Sequence, residues 1–172
     1  VRYGILTEHV ILFVGIRYCQ SITLDDRMKG LKELAMSKEF RVGFVGVPRS
    51  LYLATAVRCH STARITAFCD VDERRATEAA RAHNADVYVD YEEMLDRAKL
   101  DAVVIATPMQ LHASQSIAAL NRDIHVLSEV TAAVSIEQSQ GLVKAAARSK
   151  AIYMMAENCC YTKTNVLIRE LV

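Results

Sequence analysis

No sign of charge dominates this sequence: 21 Lys and Arg face 20 Asp and Glu across 172 residues, for a formal net charge of +1. The basic residues are scattered, so the chain generates no long-range field that concentrates nucleic acid or anionic membrane, and neither is expected as a partner. Zinc-ligand spacing is missing as well. The five cysteines, Cys19, Cys59, Cys69, Cys159 and Cys160, form neither a C-x-x-C pair nor the even framework of a small secreted domain. No metal site is expected, and the thiols read as small reduced hydrophobes in a cytoplasmic protein. Long apolar runs are absent too. The most apolar early stretch, residues 10–16, is seven residues long, against the roughly 20 that span a bilayer. Tyr18, Cys19, Gln20 and Ser21 follow it, without the small-residue pattern of a signal-peptide cleavage site, which argues against export. What remains has the size and hydrophobic content of one globular domain with a short appendage.

That appendage is N-terminal. Residues 1–38 hold a short apolar burst, then Leu24-Asp25-Asp26-Arg27-Met28-Lys29-Gly30, then a weak helical pattern. The run from Met36 to Gly43 looks like a natural start, with a Met and a few polar residues before a buried strand, so 1–38 is read as an extension and 39–172 as the domain. From Arg41 onward short apolar runs alternate with segments of helical period, the signature of β-α-β units. Strands are expected at 42–45, 64–69, 87–89, 102–106, 125–127 and 152–156, and helices at 51–60, 73–83, 91–98, 111–120 and 136–148. Residues 102–106 are apolar on both faces, as in a sheet covered by helices on both sides. The expected fold is therefore α/β: a Rossmann-type, doubly wound parallel sheet in three α/β/α layers, with right-handed crossovers and strand order 3-2-1-4-5-6.

In such a sheet ligands sit beyond the C-terminal strand ends, where strand order reverses, and the first strand-to-helix turn is decisive. Here it reads Val45-Gly46-Val47-Pro48-Arg49-Ser50-Leu51. Of the glycines in the G-x-G-x-x-G fingerprint only Gly46 is present. Either Pro48 fills the second place, bringing bulk and no amide hydrogen, or one residue is lost and Pro48-Arg49-Ser50 corresponds to a Pro-Arg-Gly turn. Asp70 ends the second strand 24 positions after Gly46, near the spacing of the carboxylate that meets an adenosine ribose and repels the 2′-phosphate of NADP. Arg74 and Arg75 follow and soften that preference. As the lesser alternative, Asp70 and Asp72 cap the helix that begins near Glu73. Thr107, Pro108 and His112 follow the fourth strand, Glu129 the fifth, and Asn158 the sixth, each bringing a polar or turn-forming group to the same edge.

The set Val104-Ile105-Ala106-Thr107-Pro108 with Leu111-His112, Ala118-Ala119-Leu120, His125-Val126-Leu127 with Glu129, and Glu157-Asn158 resembles the glucose-fructose oxidoreductase and inositol dehydrogenase family, written Gfo/Idh/MocA. The resemblance runs from Arg41 to Val172. It implies an N-terminal NAD-binding domain, with NADP as the variant, of an oxidoreductase acting on a CH–OH group of a sugar or polyol. It assigns Gly46, Pro48 and Arg49 to the pyrophosphate turn, Asp70 to the adenosine ribose, Thr107, Pro108 and His112 to the nicotinamide side, Glu129 to its ribose or amide, and Asn158 close to the nicotinamide. The family's usual Glu-Lys-Pro is Glu129-Val130-Thr131 here, so the lysine that assists proton transfer is replaced by Val130, and no catalytic residue is assigned. Family enzymes also continue into a second α/β domain carrying the substrate site and subunit interface. The resemblance thus implies cofactor machinery without a substrate pocket, inactive by itself, with an apolar face prone to self-association. Two other outcomes are a silent nucleotide-binding fragment and, from Glu157-Asn158-Cys159-Cys160-Tyr161, one of the family's NAD-dependent glycosidases.

Overall fold

The computed structural model describes residues 39–157 and 162–171. Residues 1–38, including Cys19, and Asn158, Cys159, Cys160 and Tyr161 lie outside the described residues. The elements run β1 (Phe40–Val45), α1 (Val47–Arg58), β2 (Ala63–Cys69), α2 (Glu73–His83), β3 (Asp86–Tyr88), α3 (Tyr91–Arg97), β4 (Ala102–Ile105), α4 (Met109–Leu120), β5 (His125–Ser128), α5 (Ile136–Arg148), β6 (Tyr153–Met155) and α6 (Lys163–Leu171). All six strands join one parallel sheet in the order β3-β2-β1-β4-β5-β6, as expected.

Strand alternation builds a core on each face. From β1 and β4, Val42, Phe44 and Val104 point to the face covered by α1 and α2, where they meet Val47, Ala54, Ala76 and Ala80. Val45, Val103 and Ile105 point the other way, against Met94, Leu95, Leu120 and Leu142 of α3, α4 and α5. The register slips once, between Val42 and Gly43, so that Thr66 of β2 is skipped. Phe44 and Phe68, both fully buried, stack with centroids 5.4 Å apart.

Helix starts follow local chemistry. Asp72, Asp90 and Ser135 accept from the amides of Arg74, Glu93 and Gln138 at 3.1, 2.8 and 3.2 Å, capping α2, α3 and α5. Helix α1 begins four residues before its expected start because Pro48 falls in the first turn, where a missing N–H costs nothing and the fixed φ suits the helix. Helix α6 was not anticipated, and several expected strands are trimmed or shifted by a residue. Among the described residues no helix is long and apolar enough to cross a membrane, and no group of three His, Cys, Asp or Glu is placed to hold a metal.

Two expectations follow. A Cβ on Gly46, whose φ is +82°, would stand 2.5 Å from the Ala106 carbonyl oxygen. Gly46→Ala should cost about 3 kcal/mol in urea unfolding, combining left-handed strain with a clash against backbone. Burial, reinforced by Asp90 and Asp70, pushes the Cys69 thiol up to about 12. At pH 8.5 iodoacetamide should therefore leave Cys69 unmodified in the folded chain and label it in urea, whereas exposed Cys59 is labelled in both, as read by peptide mass spectrometry.

Candidate functional site

Strand order reverses between β1 and β4, so a crevice opens at their C-terminal ends. Val45 pairs with both Cys69 and Ile105, and Ile105 pairs with Ser128. The next residues along, Gly46, Asp70, Ala106 and Glu129, therefore form one row across the sheet edge. The Gly46 amide donates to the Cys69 carbonyl at 3.1 Å. This glycine lets α1 start directly against the end of β4, and no side chain fits there.

Asp70 is 7% exposed and joins two turns. Its Oδ2 accepts from the Val47 amide and its Oδ1 from the Asp72 amide, both at 2.9 Å. The capping reading therefore divides: Asp72 caps α2, while Asp70 places its charge at the N-terminus of α1, where the helix dipole favours an anion. Arg75 is paired with Asp72 at 3.3 Å, and Arg74 is exposed. With the Val47 amide bonded to Asp70 and Pro48 carrying none, Arg49 supplies the remaining unpaired amide of the first three helical positions.

Arg49 and Glu129 are brought together: Nη2 lies 3.4 Å from Oε2, joining a guanidinium that is 68% exposed to a carboxylate that is 5% exposed. The Tyr52 hydroxyl donates to Oε1 of the same carboxylate, and the Arg49 guanidinium lies 6.0 Å from the Tyr52 ring centroid. Tyr52 was missed in the sequence. The available signal was its spacing, three residues beyond Arg49 and so on the same face of the helix.

After β4, Thr107 turns its hydroxyl to Gln115 Oε1 at 2.6 Å, and Pro108 caps α4. His112, 1% exposed, sits between two loops, with Nε2 2.7 Å from the Thr107 carbonyl oxygen and Nδ1 2.8 Å from that of Thr131. A neutral imidazole donates to one of these and an imidazolium to both. Either way the ring fastens the segment after β4 to the segment after β5. Val130 is half-buried, precedes a cis peptide, and offers no polar side-chain atom. Asn158 lies outside the described residues. Because His112→Ala removes a fully buried ring together with its hydrogen bonding to the Thr107 and Thr131 carbonyls, it should cost about 3 kcal/mol in urea unfolding, while Ser114→Ala on the exposed side of α4 should stay within about 0.5.

Residues 40–157 match the family model GFO_IDH_MocA, described as an oxidoreductase family with an NAD-binding Rossmann fold. A glycosyl hydrolase family 109 protein of Shewanella woodyi is 31% identical over 144 residues, covering 77% of this chain and 31% of that protein. An α-N-acetylgalactosaminidase of Shewanella oneidensis is 29% identical over 143 residues, with the same coverage of 77% and 31%. Among solved structures, the WlbA dehydrogenase of Bordetella pertussis, crystallised with NADH and UDP-GlcNAcA, superposes with a TM-score of 0.72 at 27% identity, over 77% of this chain and 41% of that one. The apo scyllo-inositol dehydrogenase of Lactobacillus casei shares the fold, with a TM-score of 0.71 at 24% identity over 78% of this chain and 41% of that one. The chain thus spans about a third of the length of the curated relatives it matches. In sequence and in fold, the chain belongs to the Gfo/Idh/MocA oxidoreductase family and carries its NAD-binding Rossmann domain.

Proposed function

We propose that residues 39–172 form the cofactor domain of an oxidoreductase acting on a CH–OH group of a sugar or polyol, with NAD bound across the crevice between β1 and β4 and residues 1–38 outside the domain. The observation that carries this reading is the row Gly46, Asp70 and Glu129 at one sheet edge, with a cation, Arg49, beside it. The donor set fits a dinucleotide, with one adjustment. Pro48 and the bonded Val47 amide reduce the backbone donors at the helix start, and the Arg49 amide and guanidinium take their place toward a diphosphate. Asp70 keeps lone pairs for ribose hydroxyls, and its buried charge, with Arg75 already paired to Asp72, favours NAD over NADP.

On the nicotinamide side, Glu129, Thr107 and Asn158 are the polar groups, and Pro108 and His112 hold the surrounding loops. When bound, the cofactor supplies hydride transfer; the protein supplies orientation and exclusion of water. Val130 cannot move a proton, so that task falls to a group elsewhere in the whole protein, and this domain alone binds cofactor without turnover. The exposed Leu167, Ile168 and Leu171 on α6 support self-association, and the unpaired cysteine pattern supports a cytoplasmic setting. A second reading, the NAD-dependent glycosidase, is favoured by the glycosyl hydrolase relatives and the Glu157 to Tyr161 run. A catalytically silent nucleotide-binding fragment is the third.

Titration with NADH and NADPH, followed by nicotinamide fluorescence, tests the binding reading. Saturable NADH binding is expected, tighter than NADPH binding, with roughly tenfold loss or more in Asp70→Ala, matching the loss of a charged hydrogen-bond acceptor. Absence of binding to both nucleotides, with the helical circular dichroism intact, would overturn it and leave a chain that keeps the architecture but not the activity.

A further inference from the structure

Glu129 is buried at the mouth of the crevice, and an isolated carboxylate there is costly unless paired. Among the described residues, both side chains that pair with it come from α1: Arg49 at 3.4 Å and the Tyr52 hydroxyl. Helix α1 follows β1, Glu129 follows β5, and β4 lies between those strands. The bridge therefore crosses the end of β4, over the crevice where strand order reverses. Arg49 is mostly exposed, so water screens its pull on Glu129 and leaves it available to another anion. A diphosphate entering the crevice competes for that guanidinium and meets the like charge of Glu129.

We propose that Tyr52 is a positioning residue of the nucleotide site: it holds Glu129 against α1, and a nucleotide diphosphate binds by taking Arg49 over from Glu129. The proposal rests on the nucleotide-binding reading above. Two arrangements of the same groups follow. In one, Arg49 and Tyr52 hold Glu129 and the crevice is bridged. In the other, Arg49 faces phosphate and Glu129 is released toward a ribose hydroxyl. Apparent affinity is then reduced by the fraction of molecules in the bridged form, and weakening the bridge raises it.

The test compares NADH, ADP-ribose and adenosine on the same chain, using fluorescence for NADH and calorimetry for the other two. Tyr52→Phe deletes one hydroxyl from an exposed ring and leaves the helix face otherwise unchanged. It should tighten NADH and ADP-ribose about fivefold to tenfold, chiefly through a faster association rate in stopped flow, and leave adenosine, which carries no phosphate, unaltered. Arg49→Gln should weaken NADH and ADP-ribose and spare adenosine. If Tyr52→Phe leaves NADH affinity unchanged or weakens it, or shifts adenosine by the same factor, the exchange is wrong and Tyr52 is structural or a direct contact. A wild-type chain that binds neither NADH nor ADP-ribose would overturn the nucleotide reading and this proposal with it. Wild-type binding that Tyr52→Phe does not strengthen sinks this proposal alone.

Discussion

The close approach of Gly46 to the backbone of Ala106 and Thr107 is the contact on which the rest of the edge depends. It puts the start of α1 at the point where β1 and β4 part, and from there each neighbouring group finds its partner. The Val47 amide faces Asp70, Arg49 and Tyr52 reach Glu129, and the end of β4 passes directly under the turn. A side chain at position 46 would push α1 outward, and the hydrogen bond from Gly46 to Cys69 together with these polar contacts would have to reorganise.

Electrostatics at this edge compensates for a poor turn. A helix start ordinarily offers several free amides to an anion, but here Pro48 removes one and Asp70 occupies another. The positive end of α1 is thus partly neutralised from within the protein. Arg49 restores a donor of full charge, and in doing so becomes available to Glu129 as well. Two carboxylates, Asp70 and Glu129, flank the same helix start in different ways: the first is held by backbone amides that cannot move without unwinding a turn, the second by side chains that can rotate. That difference in rigidity separates a fixed acceptor from an exchangeable one.

His112 performs a parallel task on the other half of the sheet. Its buried ring joins the carbonyls of Thr107 and Thr131, so the segments after β4 and β5 are tied to each other. Thr107 is committed to Gln115 at the same time. The edge beyond β4 and β5 is therefore shaped by groups that bond to one another, whereas Glu129 is held by side chains of α1.

The order of elements, the parallel sheet, the apolar strand expected at 102–106 and the turn positions of Gly46 and Asp70 were legible in the sequence, because periodicity and turn chemistry are local properties. So was the family, through the runs around Thr107, Glu129 and Glu157. Boundaries drifted where local rules compete, as at Pro48, which reads as a turn residue and serves as a helix starter. Asp70 looked suited to a ribose first and to the following helix second, and only the fold shows its carboxylate on the preceding one. Tyr52 shares a helix face with Arg49 by spacing, but its bridge to Glu129 could not be read that way, since positions 77 apart meet only when β1, β4 and β5 lie side by side. The sequence by itself determined the architecture, because hydrophobic period and capping act within a few residues. The tertiary structure alone decided which charges pair across the crevice, because that depends on strand order and on the distance between chain segments remote in sequence.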